Sequence, residues 1–314
     1  MNTQSHAVPE SSLVSQLPAT VSKLATRPLY WSVRRELWEN RSIYVAPLAV
    51  ASIYLLGFLV SLFWIPYAMH GMVEAHSTPL LIRLAMPYAH AGMLIMVTAF
   101  IVGVFYSLDA LHGERRDRSI LFWKSLPVSD RTTVLSKASI PLVILPVLVF
   151  VITATLQLAM LLLTFVSVMA SGAGTATPWA PPVLEIQTEF LYSLIVIALW
   201  HAPIYGWFIL VSGWPRRATF LWAVLPPLAI AAFEKIAFNT SYFGSMLGNR
   251  FFGFAAVAYN LIDKNGVPID PHFIPLSALT PGRFLSTPAL WLGLVFAAFC
   301  LAAAVRLRRY QGPI

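Results

Sequence analysis

The chain has little charge and almost no cysteine. Only 11% of its 314 residues are Asp, Glu, Lys or Arg, and its single cysteine, Cys300, lies in an apolar run. One cysteine builds neither a disulfide framework nor a thiolate metal site. The seven histidines, at positions 6, 70, 76, 90, 112, 201 and 272, have no ligand spacing, and no H-E-x-x-H occurs, so no metal site is expected. The G-x-x-x-x-G-K-[ST] loop that cradles nucleotide phosphates is absent, and Ser171-Gly172 and Ser212-Gly213 lack the flanking glycine of a nucleophilic serine elbow. Asp109 and Glu234 fall at the ends of apolar runs rather than midway, which leaves no chain of acids and bases for a proton-driven carrier. No catalytic residue is therefore expected, and a lipid-modifying intramembrane enzyme ranks last among the possible roles.

Hydrophobic residues make up 58% of the chain. Apolar runs at 44–65, 89–108, 139–170, 190–212, 219–233 and 288–305 approach or exceed the roughly 20 residues that cross a bilayer as a helix. The third is long enough to tilt or protrude. Pro226 and Pro227 interrupt the fifth, where a kink is expected rather than a break. The expected fold is an all-α membrane protein: a bundle of six transmembrane helices in one domain, 28–314, after a polar, disordered cytoplasmic tail at 1–27.

Lys and Arg give the orientation, because cytoplasmic loops carry the excess. The segment before the first span, the second-to-third and fourth-to-fifth connections, and the C-terminus hold 16 of the 21 basic residues. Both termini are thus expected in the cytoplasm. The net charge of +8 then reflects topology and contact with anionic lipids, and needs no nucleic acid partner. Over 28–41, a helix starting at Pro28 places Leu29, Tyr30, Val33 and Leu37 on one face. With Trp31 and Trp38 as anchors, it is expected to lie along the membrane surface. The long extracytoplasmic loop, 234–287, contains an apolar, glycine-spaced stretch at 242–259 that suits a re-entrant or surface helix.

Polar side chains within the spans are few. His90, Gln157 and His201 are the candidates for a substrate path, and hydrogen bonding between helices explains them as well. The densest charge lies in the loop 109–138. There Glu114, Arg115, Arg116 and Arg118 precede Phe122 and Trp123, and Pro127 ends the helix before Ser129 or Asp130 caps the next. Arginine beside aromatic residues is the composition of a protein–protein hot spot, and a merely solvated loop has no need of it.

The run Glu114-Arg115-Arg116-Asp117-Arg118-Ser119-Ile120-Leu121, then Ser125-Leu126-Pro127-Val128-Ser129-Asp130-Arg131 and Val134-Leu135-Ser136-Lys137, resembles the loop of type-2 permease subunits of ATP-binding-cassette (ABC) exporters. Its departures are Asp117 and Arg118, where Gly-Thr or Gly-Ser is more usual, and Trp123-Lys124 before Ser-Leu-Pro. The resemblance implies an inner-membrane permease of a bacterium, non-catalytic alone, whose coupling helix at 114–126 docks an ABC ATPase through Glu114, Arg115, Arg116, Arg118, Phe122 and Trp123. ATP and Mg would be bound by that partner, and this chain would hold no cofactor. A second permease copy, as homodimer or related heterodimer, would complete the path. The alternative role is a non-transporting scaffold that transmits force from an ATPase.

Overall fold

Backbone amides buried in hydrocarbon must pair within the chain, which restricts long apolar runs to helices or closed barrels. The computed structural model describes residues 28–63, 80–125, 128–170, 182–262, 266, 269, 274–312 and 314. Six of its helices are long and apolar enough to cross a membrane. Among the described residues the only sheet-like pairing is isolated bridging, as between Tyr259 and Leu279. The tail 1–27, His70 and His76, the loop 171–181 and the turn 263–265 lie outside the described residues.

Helix α1 (Pro28–Glu39) leads into the first spanning helix, α2 (Ser42–Ser61). The second, α3 (Leu80–Asp109), is followed by two short helices, α4 (His112–Arg116) and α5 (Ser119–Ser125). The third rises from α6 (Asp130–Ser139) through one π turn (Ile140–Ile144) into α7 (Leu145–Ala170). Helices α8 (Val183–Ser212) and α9 (Thr219–Phe238) are the fourth and fifth. After α10 (Tyr242–Phe252), α11 (Phe254–Ala258) and α12 (Pro281–Ser286), α13 (Pro288–Tyr310) is the sixth. Each expected span coincides with a helix over most of its described residues, the first ending at Ser61, and α3 and α8 begin well before the apolar runs at 89 and 190. Hydropathy marks what the bilayer needs, whereas a helix continues until its backbone is capped or interrupted. Pro226 and Pro227 do not break α9, which runs through both.

Helix α8 is the most buried span and packs against α13, α3 and α7. At Gly206 a Cβ would lie 3.2 Å from the backbone of Ala297, so α8 and α13 meet main chain to main chain. Helix α9 is the reverse: Phe220, Leu225, Phe233 and Ile236 are all exposed, as side chains facing lipid would be. Glu234 near its end accepts hydrogen bonds from the backbone N–H groups of Tyr242 (2.7 Å) and Phe243 (2.8 Å), capping α10 and closing the α9–α10 hairpin.

Helix α1 departs from its expected face. Val33 and Leu37 pack on the core, but Leu29 and Tyr30 are exposed with Trp31 and Trp38, and the side chain turned fully inward is Glu36. A carboxylate can occupy that position only because cations meet it there.

Candidate functional site

Beneath the loop helices, four segments far apart in sequence bring charges into one buried cluster. Lys137, from α6, places its Nζ 2.9 Å from Glu36 of α1 and 3.2 Å from Glu114 of α4. Arg35 lies 2.7 Å from Glu36 and 2.9 Å from Glu114. From α13, Arg308 donates to Glu114 at 3.1 Å and also to Asp130. The Tyr106 hydroxyl completes Glu36 at 2.8 Å. Three carboxylates thus meet three cations, and Glu36, Lys137 and Arg308 are all buried. Left unpaired, any of them would cost several kcal/mol. Together they join the start of the chain, the loop after α3, the base of the third span and the end of the sixth.

Burial alone would raise the Glu36 carboxyl. Lys137 and Arg35 beside it, with hydrogen bonds from Lys137 and Tyr106, outweigh burial and hold it below the usual carboxylate range. Burial opposes the charge on Arg35 as well, and the carboxylates of Glu36, Glu39 and Glu114 more than restore it. Of the two expected caps for α6, Ser129 serves, its Oγ accepting from the Thr132 N–H at 3.1 Å.

The structure divides the six loop residues singled out in the sequence. Glu114 and Arg115 are buried and face inward. Glu114 belongs to the cluster, and Arg115 donates to the carbonyls of Gly213 (2.6 Å), Trp214 (3.3 Å) and Gly312 (3.2 Å). Trp123 is half-buried, its ring 3.9 Å below the Arg35 guanidinium and edge-on to Phe122. Arg116, Arg118 and Phe122 remain exposed, joined by Leu121. Arg118 sits at the α4–α5 junction with φ +58°, a left-handed conformation that a glycine would adopt without strain. Ile120 is buried, and Lys124 donates to the Gln311 carbonyl at 2.8 Å. Helix α5 is therefore pinned on one side and bare on the other.

The candidate path residues have separate surroundings. Gln157 is fully buried between helices, donating to the Tyr88 carbonyl at 2.9 Å and accepting from Gln187 at 2.6 Å. His201 is buried against Phe100 and Phe254. Its Nδ1 lies 3.0 Å from the Ile197 carbonyl and its Nε2 3.2 Å from that of Phe251. His90 is half-buried on α3. The partners of Gln157 and His201 are those of interhelical ties.

Sequence reasoning passed over Glu36, Tyr106 and Arg308. One signal was available: Glu36 sits beside Leu37 and three residues after Val33, on the side of α1 that packs inward. Among the described residues no group of three or more His, Cys, Asp or Glu side chains could hold a metal. The carboxylates of the cluster are engaged by cations, which ties the four segments together. Among the described residues six helices are long and apolar enough to cross a membrane and no sheet forms, which by helix length and composition makes this an all-α multi-pass membrane protein. No protein-family model, no curated protein and no solved structure matches it.

Proposed function

We propose that the chain is the membrane-spanning permease subunit of an ABC exporter, driven by a separate ATPase subunit that docks on the α4–α5 loop. The observation that carries this reading is α5 itself. Ile120 is buried and Trp123 is clamped under Arg35, while Leu121 and Phe122 are each 59% exposed beside Arg116 and Arg118. A helix held on one face and showing Leu121 and Phe122 on the other, with Arg116 and Arg118 exposed just before its start, fits a docking surface. Because α5 adjoins the charge cluster, a displacement of the loop is passed to α1, α6 and α13 together.

In this reading the docking residues are Arg116, Arg118 and Phe122 from the expected six, with Leu121 added, while Glu114, Arg115 and Trp123 hold the loop in place. The basic end of the bundle faces the cytoplasm of a bacterial cell, both termini with it, and α1 lies at that membrane surface. ATP and Mg bind the partner. Two permease copies line the path, and the ATPase's unequal affinity for their inward and outward states supplies the energy. The same docking would serve a scaffold that transmits force without transport. Co-purification from native membranes tests the reading: an ATP-hydrolysing chain should accompany the protein, and R116A/R118A/F122A should lose it while staying folded. A protein that purifies alone refutes it. Substrate-stimulated ATP turnover in liposomes separates the exporter from the scaffold.

A further inference from the structure

The turn between α8 and α9, at the same end as α5, borders an open concavity of about 640 Å³ lined by Trp214, Pro215, Arg216, Arg217 and Trp222. Its charge is one-sided. Among the described residues no carboxylate pairs with Arg216 or Arg217. Arg216 also lies near enough to Arg115 to repel it, and Arg115 is held by backbone carbonyls alone. This contrasts with the adjacent cluster, where every cation has a carboxylate. Two bare guanidiniums in one concavity present the fork that matches phosphate oxygens.

The walls indicate where the phosphate comes from. Trp214 and Trp222 stand 5.7 Å apart between ring centroids and are at least half exposed. Phe220 and Leu221 continue the exposed apolar surface into α9. Tryptophan at a span end sits at headgroup level, and basic pockets between spanning helices take anionic headgroups. A soluble anion would need the arginines but not an apolar surface running from them along a spanning helix.

We propose that this pocket binds the phosphate headgroup of an anionic phospholipid, with Arg216 and Arg217 on the phosphate and the acyl chains along Phe220 and Leu221 of α9. The site is separate from the α5 docking face, so lipid binding here does not depend on what docks there. It would couple the fifth span to the charge of the surrounding leaflet.

The test is lipid retention by the full chain, purified in neutral detergent, exposed to phosphatidylglycerol or phosphatidylcholine and followed by native mass spectrometry. Each arginine near the headgroup is expected to contribute about fivefold to affinity, so R216Q/R217Q should bind phosphatidylglycerol about 25-fold more weakly. R216K/R217K, which keeps the charge but loses the guanidinium fork, should bind between the wild type and R216Q/R217Q, R283Q, at the other end of the bundle, should match the wild type, and phosphatidylcholine should be retained poorly. An unchanged melting temperature in lipid-free detergent shows that the double variant is folded. Equal retention by wild type and R216Q/R217Q overturns the proposal, as does equal retention of the two lipids. Displacement of the lipid by millimolar inorganic phosphate would make the occupant a soluble anion and overturn the lipid assignment.

Discussion

Replacing Lys137 by Met probes the charge cluster most sharply, because the methionine fills the same space and removes only the ammonium. The Nζ lies 2.9 Å from Glu36 and 3.2 Å from Glu114. At an effective dielectric of about 20, each contact corresponds to about 5 kcal/mol of bare attraction, much of it offset by desolvation. Breaking a buried ion pair by removing one partner costs about 3–5 kcal/mol net. Arg35 remains on both carboxylates and Arg308 on Glu114, so the expected loss for K137M is at the lower end, about 3 kcal/mol. Adding E36Q removes the surplus negative charge, and Tyr106 can still donate to the amide oxygen. K137M/E36Q should therefore recover at least half of the loss. Reversible unfolding in mixed micelles, followed by tryptophan fluorescence, measures both variants. If K137M is neutral to within about 0.5 kcal/mol, or if the double variant is the less stable of the two, the cluster is not the joint described here.

Two further outcomes follow from the same geometry. The Glu36 carboxyl is held below its unfolded value near 4.3, so its contribution is fully present above that pH and is lost as pH falls through the lower folded-state value. The unfolding midpoint of the wild type should fall steeply on this acid limb, and E36Q should flatten it. Gly206→Leu should destabilise by about 1–3 kcal/mol through the Ala297 backbone, whereas Gly57→Leu, with nothing within 4 Å of its added Cβ, should change the melting temperature little.

The spans were legible because the property that defines them, an unbroken apolar run, is local. So was the break before α6, where Ser129 follows a proline by two residues and the next turn is polar. The charge cluster was not. Glu36 meets Tyr106, Lys137 meets Glu36, and Arg308 meets Glu114 across separations of 70, 101 and 194 residues. Helical periodicity carries no record of such pairings. By sequence alone Arg35 and Arg308 are only topological charge, and Glu36 is one polar residue on a helix marked by its apolar side chains. For the same reason Glu114 and Arg115, conspicuous in a charge-dense loop, were expected at the surface. Their partners, Lys137, Arg308 and the Gly213 carbonyl, arrive only when the bundle closes. Phe122 is exposed, with a ring contact to its neighbour Trp123.

The most direct test of the central claim is a photo-crosslinking amino acid at position 122, incorporated in the native host and activated in intact membranes. The account predicts a crosslink to a separate nucleotide-binding chain, abolished when Arg116 and Arg118 are replaced by Ala, and none to that chain from position 53, an exposed site on the spanning helix α2. A crosslinker at position 122 that captures only lipid, or no nucleotide-binding chain, contradicts it.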